Sequence, residues 1–350
     1  MQQIVKEKSN LFNGVKIIIA TSLYPPEIDR VAFYCKNLAE RLSQKDQVTV
    51  LTYAGPVEKP SKFDLGIVNK HWPLLFRLLA YTYKLYFLAK KADIIYAQNS
   101  VAVTLPAIIV KSLLKIPVVI NFSEDEAYKR ATYLGITDKS LPEFLINNKL
   151  DKQTKRIKNL QAWILPRATR IVVPSQALQS LVEKFYKVSK QKIVINYPVA
   201  DAPIVLPFDQ SVKKNQVLVF GRDFAWISQE AMNDLDLVVL AGKSLSKAEV
   251  SYLIKTSALI VYSVASENYD NFLIDCASLG KNILAHDTAY AQEIIGQSGF
   301  LADFSNKQAV MEKIHQLLKG KVENKNTENK FDWESHLNKL QDIFQASIKK

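Results

Sequence analysis

The sequence predicts an α/β protein of two Rossmann-like domains that face a cleft, the second domain shortened, and three observations lead there. Apolar runs alternate with amphipathic helical segments, the pattern of parallel sheets covered on both faces. A connector with three prolines, "YPVADAPIVLPF", breaks the alternation, after which it restarts. At 350 residues, 48% hydrophobic and 23% charged, the chain is long enough for two cores and too apolar to be disordered. The expected domains are 15–200 and 201–320, with 1–14 an N-terminal extension, 321–330 a linker and 331–350 a C-terminal helix.

"VKIIIAT" (15–21) reads as a strand, "VAFYCKNLAERLSQ" (31–44) as a helix and "QVTVLTY" (47–53) as a second strand, the apolar period switching from 2 to 3.6 and back. "WPLLFRLLAYTYKLYFLAKK" (72–91) is apolar and aromatic, but Arg77 and Lys84 within it argue against a spanning helix. Two readings stay open for it: a helix packed on a sheet with its basic residues reaching solvent, or an interfacial helix on an anionic membrane surface. Next come "ADIIYAQN" (92–99), a helix over 103–114, "IPVVINF" (116–122) and a long basic helix over 149–165. "TRIVVPS" (169–175), the helix "QALQSLVEKFY" and "KIVINYPV" (192–199) complete a unit of six strands.

The second unit opens with "QVLVFGR" (216–222) and continues with "LDLVVLAG" (235–242). A helix follows with Ser246 and Glu249 as its capping box, then "SALIVYS" (257–263) and a helix after Glu267. "NILAH" (282–286), "GFLADF" (299–304), a helix over "KQAVMEKIHQLLKG" and a last helix over 333–348 finish the chain. Ligands of such sheets collect at the carboxyl ends of the strands, so chemistry is expected in the strand-to-helix loops.

Net charge is +12, which suits anionic small molecules, an anionic membrane surface or nucleic acid. The basic residues are spread along the chain without an arginine-rich tract or zinc-finger spacing, which argues against nucleic acid. Cys35 and Cys276 form no CxxC or Cys/His cluster, and the four histidines show no metal spacing, so neither a disulfide framework nor a metal site is expected. The polar start "MQQIVKEKSNLFNG" lacks the apolar core of a signal peptide, which predicts a cytoplasmic protein, peripheral at most to a membrane.

Five stretches carry a family resemblance: "SLYPPEIDRVAFYCKNLAERL", "ADIIYAQNSVAVTLPA", "ATRIVVPSQAL…KIVINYPV", "FGRD" and, most specific, "ENYDNFLIDCASLGK". Over about Val15 to Gly320 the chain resembles the GT-B-fold glycosyltransferases of the family 4, or group 1, type. The resemblance implies transfer of a sugar from a nucleotide-sugar donor to a glycan or lipid-linked acceptor. Such transfer is retaining and needs no cofactor or obligatory metal, with the donor on the second domain and the acceptor on the first.

It also implies roles for residues. Glu267 would sit against the donor sugar as a catalytic acid, and the amides of Asn268 and Tyr269 would hold the donor at a helix N-terminus. Asp275, eight residues after Glu267, stands where the family has a second glutamate on the ribose. Gly221 and Arg222 would take the diphosphate, the guanidinium as a fork. Asp125, with Glu124, is the nearest polar substitute for the family's first-domain histidine and so a second catalytic candidate. Without the resemblance these acids read as helix entrances, and Arg222 as an ion-pairing residue between domains.

The departures are specific. Asp29 and Arg30 replace the family's phosphate-cradling glycine pair, leaving Arg30 as a possible first-loop phosphate contact, and Ile227 stands where a second cation is usual. Sixteen residues, Arg222 to Leu237, occupy a place where a βαβ unit needs roughly 30, so one α/β unit is missing. The alternative to a working enzyme is therefore a catalytically degenerate relative acting as a binding or assembly subunit.

Overall fold

The computed structural model describes residues 14–27, 29–55, 57, 60–147, 149–200, 211–221, 235–240, 245–264, 271–296, 299–319 and 330–349. The first sheet has seven strands: β1 (Lys16–Ala20), β2 (Gln47–Ala54), β3 (Asp64–Asn69), β4 (Ile94–Gln98), β5 (Val118–Asn121), β6 (Arg170–Val173) and β7 (Ile193–Ile195). They pair in parallel in the order β3-β2-β1-β4-β5-β6-β7. Seven strands stand where six were expected. The added one, "DLGIVN", is an edge strand with a glycine inside it, held by pairing with β2 rather than by its own β-propensity.

The helices of this unit are α1 (Arg30–Leu42), α2 (Leu74–Ala89), α3 (Val101–Leu114), α4 (Glu126–Tyr133), α5 (Leu141–Ile146), α6 (Lys152–Ile164) and α7 (Gln176–Tyr186). Both sheet faces are covered, which is why β1 and β4 are continuous apolar runs. Ile18, Ala20, Ile95 and Ile120 look into the core under α2, α3 and α7, whereas Ile17, Ile19, Ile94 and Val119 look into the core under α1.

The second sheet is smaller, with five parallel strands in the order β12-β11-β10-β8-β9. Its strands are β8 (Lys213–Phe220), β9 (Asp236–Val239), β10 (Ser257–Tyr262), β11 (Ile283–His286) and β12 (Phe300–Ala302). Around it lie α8 (Lys247–Thr256), α9 (Asn271–Ser278), α10 (Ala289–Ile295) and α11 (Lys307–Lys319). The Ser246–Glu249 capping box opens α8 with both of its bonds formed.

The last helix, α12 (Trp333–Ile348), returns to the first domain. Leu340, Ile343 and Phe344 complete the core beside Tyr96, Val119 and Val172. The two connectors between the domains touch: Ala200 N–H donates to Phe331 O at 2.9 Å, and Asn196 Nδ2 to His336 O at 3.2 Å. Among the described residues no helix is long and apolar enough to cross a membrane.

Candidate functional site

Each sheet has one place where the strand order reverses, and in such sheets ligands bind there, beyond the carboxyl ends of the strands. In the second sheet that place is between β8 and β10, since the chain runs from β8 to β9 on one side and then crosses to β10 on the other. Phe220 pairs with Tyr262, and Ser263 N–H donates to Phe220 O at 2.9 Å, so the loops after both strands leave the sheet at one level. Phe272, at the start of α9, stacks on Phe220 with centroids 4.3 Å apart, and Phe220 stacks on Tyr262 at 5.7 Å. This aromatic column holds the head of α9 against the strand ends.

Gly221 follows directly, with φ at 139°, a conformation that a side chain would strain. Asp275 lies half-buried in α9, one turn after the aromatic column. Gly280, with φ at 64°, ends the helix. Lys281 then reaches back so that its ammonium donates to Lys255 O and Ser257 O, and burial lowers its pKa. The Gly-Lys turn therefore fixes the far end of α9 to α8 and β10. Arg222, Glu267, Asn268 and Tyr269 lie outside the described residues; Gly221 follows β8 and Asn271 opens α9.

In the first sheet the reversal falls between β1 and β4. Asp29 is the N-cap of α1, its Oδ1 accepting from Val31 N–H at 2.7 Å, and Arg30 is the exposed first residue of that helix. A carboxylate thus already occupies the anion position at this helix N-terminus.

The acidic stretch after β5 resolves into three structural parts. Glu124 pairs with Lys129 at 2.5 Å. Glu126 accepts from Val101 N–H at 2.7 Å and so caps α3, whose own N-cap Ser100 makes no side-chain bond. Asp125 is the N-cap of α4, only 2% exposed, accepting from Tyr128 N–H at 2.9 Å and from the Tyr186 hydroxyl. Burial pushes its pKa up, opposed by these bonds and by the Lys158 charge. Asp125, a catalytic candidate by resemblance and otherwise read as a helix entrance, is a buried cap joining α4 to α7, with both oxygens engaged.

A contact that sequence reading did not indicate joins the domains. The Glu293 carboxylate of α10 accepts from Gln176 N–H at 2.8 Å to each oxygen and from the Tyr197 hydroxyl at 2.9 Å. Ala177 N–H adds a longer bond at 3.4 Å, and Lys330 Nζ donates to Glu293 O at 3.1 Å. Glu293 therefore caps the N-terminus of α7, at the carboxyl end of the first sheet, from the second domain. A glutamate in a short amphipathic helix carries no signal of this use. Among the described residues no three His, Cys, Asp or Glu side chains gather as a metal would require.

Two Rossmann-like domains, one on a seven-stranded and one on a five-stranded parallel sheet, with a C-terminal helix returned to the first, define a protein of the GT-B fold. The profile of Glycosyltransferase Family 4 matches residues 31–202, a stretch that lies almost wholly in the first domain. Among solved structures, sucrose-phosphate synthase from Thermosynechococcus elongatus is similar at TM-score 0.66 and 14% identity, over 95% of this chain and 98% of that one. A glycosyltransferase from Rickettsia africae matches at TM-score 0.61 and 14% identity, over 97% and 100%. Anabaena HepE, solved with UDP-glucose, matches at TM-score 0.59 and 13% identity, over 95% and 98%. At these identities the likeness is one of fold. No curated protein sequence matches the chain.

Proposed function

We propose that this protein is a nucleotide-sugar-dependent glycosyltransferase that acts with retention on a glycan or lipid-linked acceptor. The observation that carries the reading is the reversal of strand order between β8 and β10, where Gly221 at φ 139° follows one strand and the aromatic-pinned head of α9, in the stretch that resembles the family's donor loop, lies against the strand ends. Transfer breaks the bond between the anomeric carbon and the diphosphate oxygen and forms one to the acceptor oxygen; the acceptor proton leaves on the diphosphate. In this reading Arg222 and the loop amides of Asn268 and Tyr269 neutralise the departing diphosphate, which is where charge develops, without an obligatory metal. Glu267 sits against the sugar and Asp275 takes the ribose. Arg30, exposed at the head of α1, approaches the phosphates from the first domain.

One observation favours the second reading, a binding or assembly subunit without turnover. Asp29 fills the cap of α1 with its own carboxylate, beside which a diphosphate is repelled. Thermal unfolding with UDP, GDP, ADP and their sugars separates the two. A ligand at 100 times its Kd adds about 2.7 kcal/mol, and Arg222→Ala should abolish the shift. No shift with any nucleotide refutes the donor site.

A further inference from the structure

Among the described residues, exposed large apolar side chains gather on a helix that the donor site does not use. α2 packs Tyr81, Leu85 and Ala89 into the first core. Its opposite side presents Leu75, Phe76, Leu79, Tyr83 and Phe87 to solvent, at 72%, 67%, 68%, 66% and 47% exposure, with Trp72 at 49% just before it. A soluble helix carries polar residues on that side; contiguous exposed apolar side chains mark an interaction surface. With β3 and Leu113 of α3, the helix borders an open groove of about 1370 Å³ lined by Ile67, Trp72, Phe76 and Tyr83.

The stretch of chain that carries this face has charge of one sign. Between Asp64 and Asp93 the chain holds no acid and five cations, Lys70, Arg77, Lys84, Lys90 and Lys91. Of the two basic residues inside the helix, Lys84 is exposed, as expected, and Arg77 is half-buried. Arg77 donates to Lys70 O at 2.9 Å and lies 5.1 Å over the Tyr53 ring, and Lys84 donates to Ile67 O. These two fasten α2 to the sheet edge. Lys90 and Lys91 are exposed at the end of the helix, Lys90 at 4.7 Å over the Tyr86 ring, and among the described residues only Lys70 of the five pairs with an acid, Glu27.

We infer that the outer face of α2 docks on an anionic lipid bilayer, the helix lying in the interface along its length of about 24 Å. Apolar and aromatic side chains enter the acyl boundary, the groove accepts hydrocarbon chains, and the cations at the end of the helix meet the headgroups. An anionic bilayer matches an apolar face whose own stretch of chain, 65–92, carries cations and no acid. A protein partner would have to be apolar and acidic over the same area. The inference stands apart from the donor site, because nothing in it depends on nucleotide binding.

Co-sedimentation of the full chain with vesicles tests it. Vesicles in which roughly a third of the lipid is phosphatidylglycerol should bind the protein, and pure phosphatidylcholine should bind it about ten- to thirty-fold more weakly. Raising salt from about 0.05 to 0.5 M should weaken the anionic binding. Leu75→Ser/Phe76→Ser/Leu79→Ser, three exposed positions, should keep the wild-type melting profile and lose binding at least about 100-fold. Lys90→Ala/Lys91→Ala should remove most of the preference for anionic lipid. Absence of binding to the anionic vesicles, equal binding to both compositions, or undiminished binding by the triple variant would overturn the inference. So would a wild-type dimer in sedimentation velocity that the triple variant abolishes, which would make the face a contact between copies.

Discussion

Replacing Asp125 by alanine should destabilise the first domain by about 2–4 kcal/mol. Two losses contribute. Removing a helix N-cap costs about 0.5–2 kcal/mol, and the Tyr186 hydroxyl, in a side chain only 5% exposed, is left without its acceptor, which costs about 1–3 kcal/mol. For a domain of this size the shift in Tm is roughly 5–15 °C. Asparagine should stay within about 1 kcal/mol of wild type, since its oxygen still accepts from Tyr128 N–H, its amide can donate to the Tyr186 oxygen, and it carries no buried charge. The pH dependence has a definite sign. Burial raises the native pKa of Asp125, so the native state holds the proton more tightly than the unfolded one. Its contribution to stability therefore falls as pH rises from the unfolded value toward the native one, and is constant above that. The gain of Asp125→Asn over wild type should grow across the same window. Urea denaturation of the full chain, followed over that pH range, is the assay. Alanine within about 0.5 kcal/mol of wild type, or asparagine as damaging as alanine, would refute the cap. A stable Asp125→Asn variant without transfer activity would return the residue to chemistry.

Two further predictions follow from the domain junction. Glu293→Ala should weaken the docking of α7 against α10 by about 1–3 kcal/mol and speed amide exchange at Gln176 and Ala177; unchanged exchange over 175–186 would show that the contact is incidental. His336 donates from Nδ1 to Tyr197 O and accepts at Nε2 from the Tyr34 hydroxyl, both at 2.8 Å, and burial lowers its pKa. The unfolded chain takes up the proton first, so stability should fall as pH drops below about 6.5, with a slope of at most about 1.4 kcal/mol per pH unit from this group. His336→Gln should flatten that slope in denaturation measured between pH 7 and 5, and an unaltered slope would count against the assignment.

Much of the architecture was legible because parallel strands covered on both faces leave unbroken apolar runs, as in "KIIIA" and "IIYAQ". The last helix and the Ser246–Glu249 box were legible because caps and period are local. The strand β3 and the helices α5 and α10 were not, being short elements that tertiary pairing stabilises against a weak local preference. The acids after β5 show a sharper limit. An N-cap and a catalytic carboxylate look alike in "NFSEDEAY", and the residue that decides between them, Tyr186, is 61 positions away. The donor stretch was legible only through its resemblance, and Gly221, Asp275 and the Gly280–Lys281 turn are its described frame.

The return of α12 to the first sheet has a consequence for synthesis. The second domain is an insertion between that sheet and its final helix, so the ribosome makes the whole of the second domain before the first can close. Until Leu340, Ile343 and Phe344 emerge, the sheet face around Tyr96, Val119 and Val172 lacks its cover. A nascent chain arrested before α12 would present that face to chaperones, and the order of translation makes the last helix the one that completes the first fold.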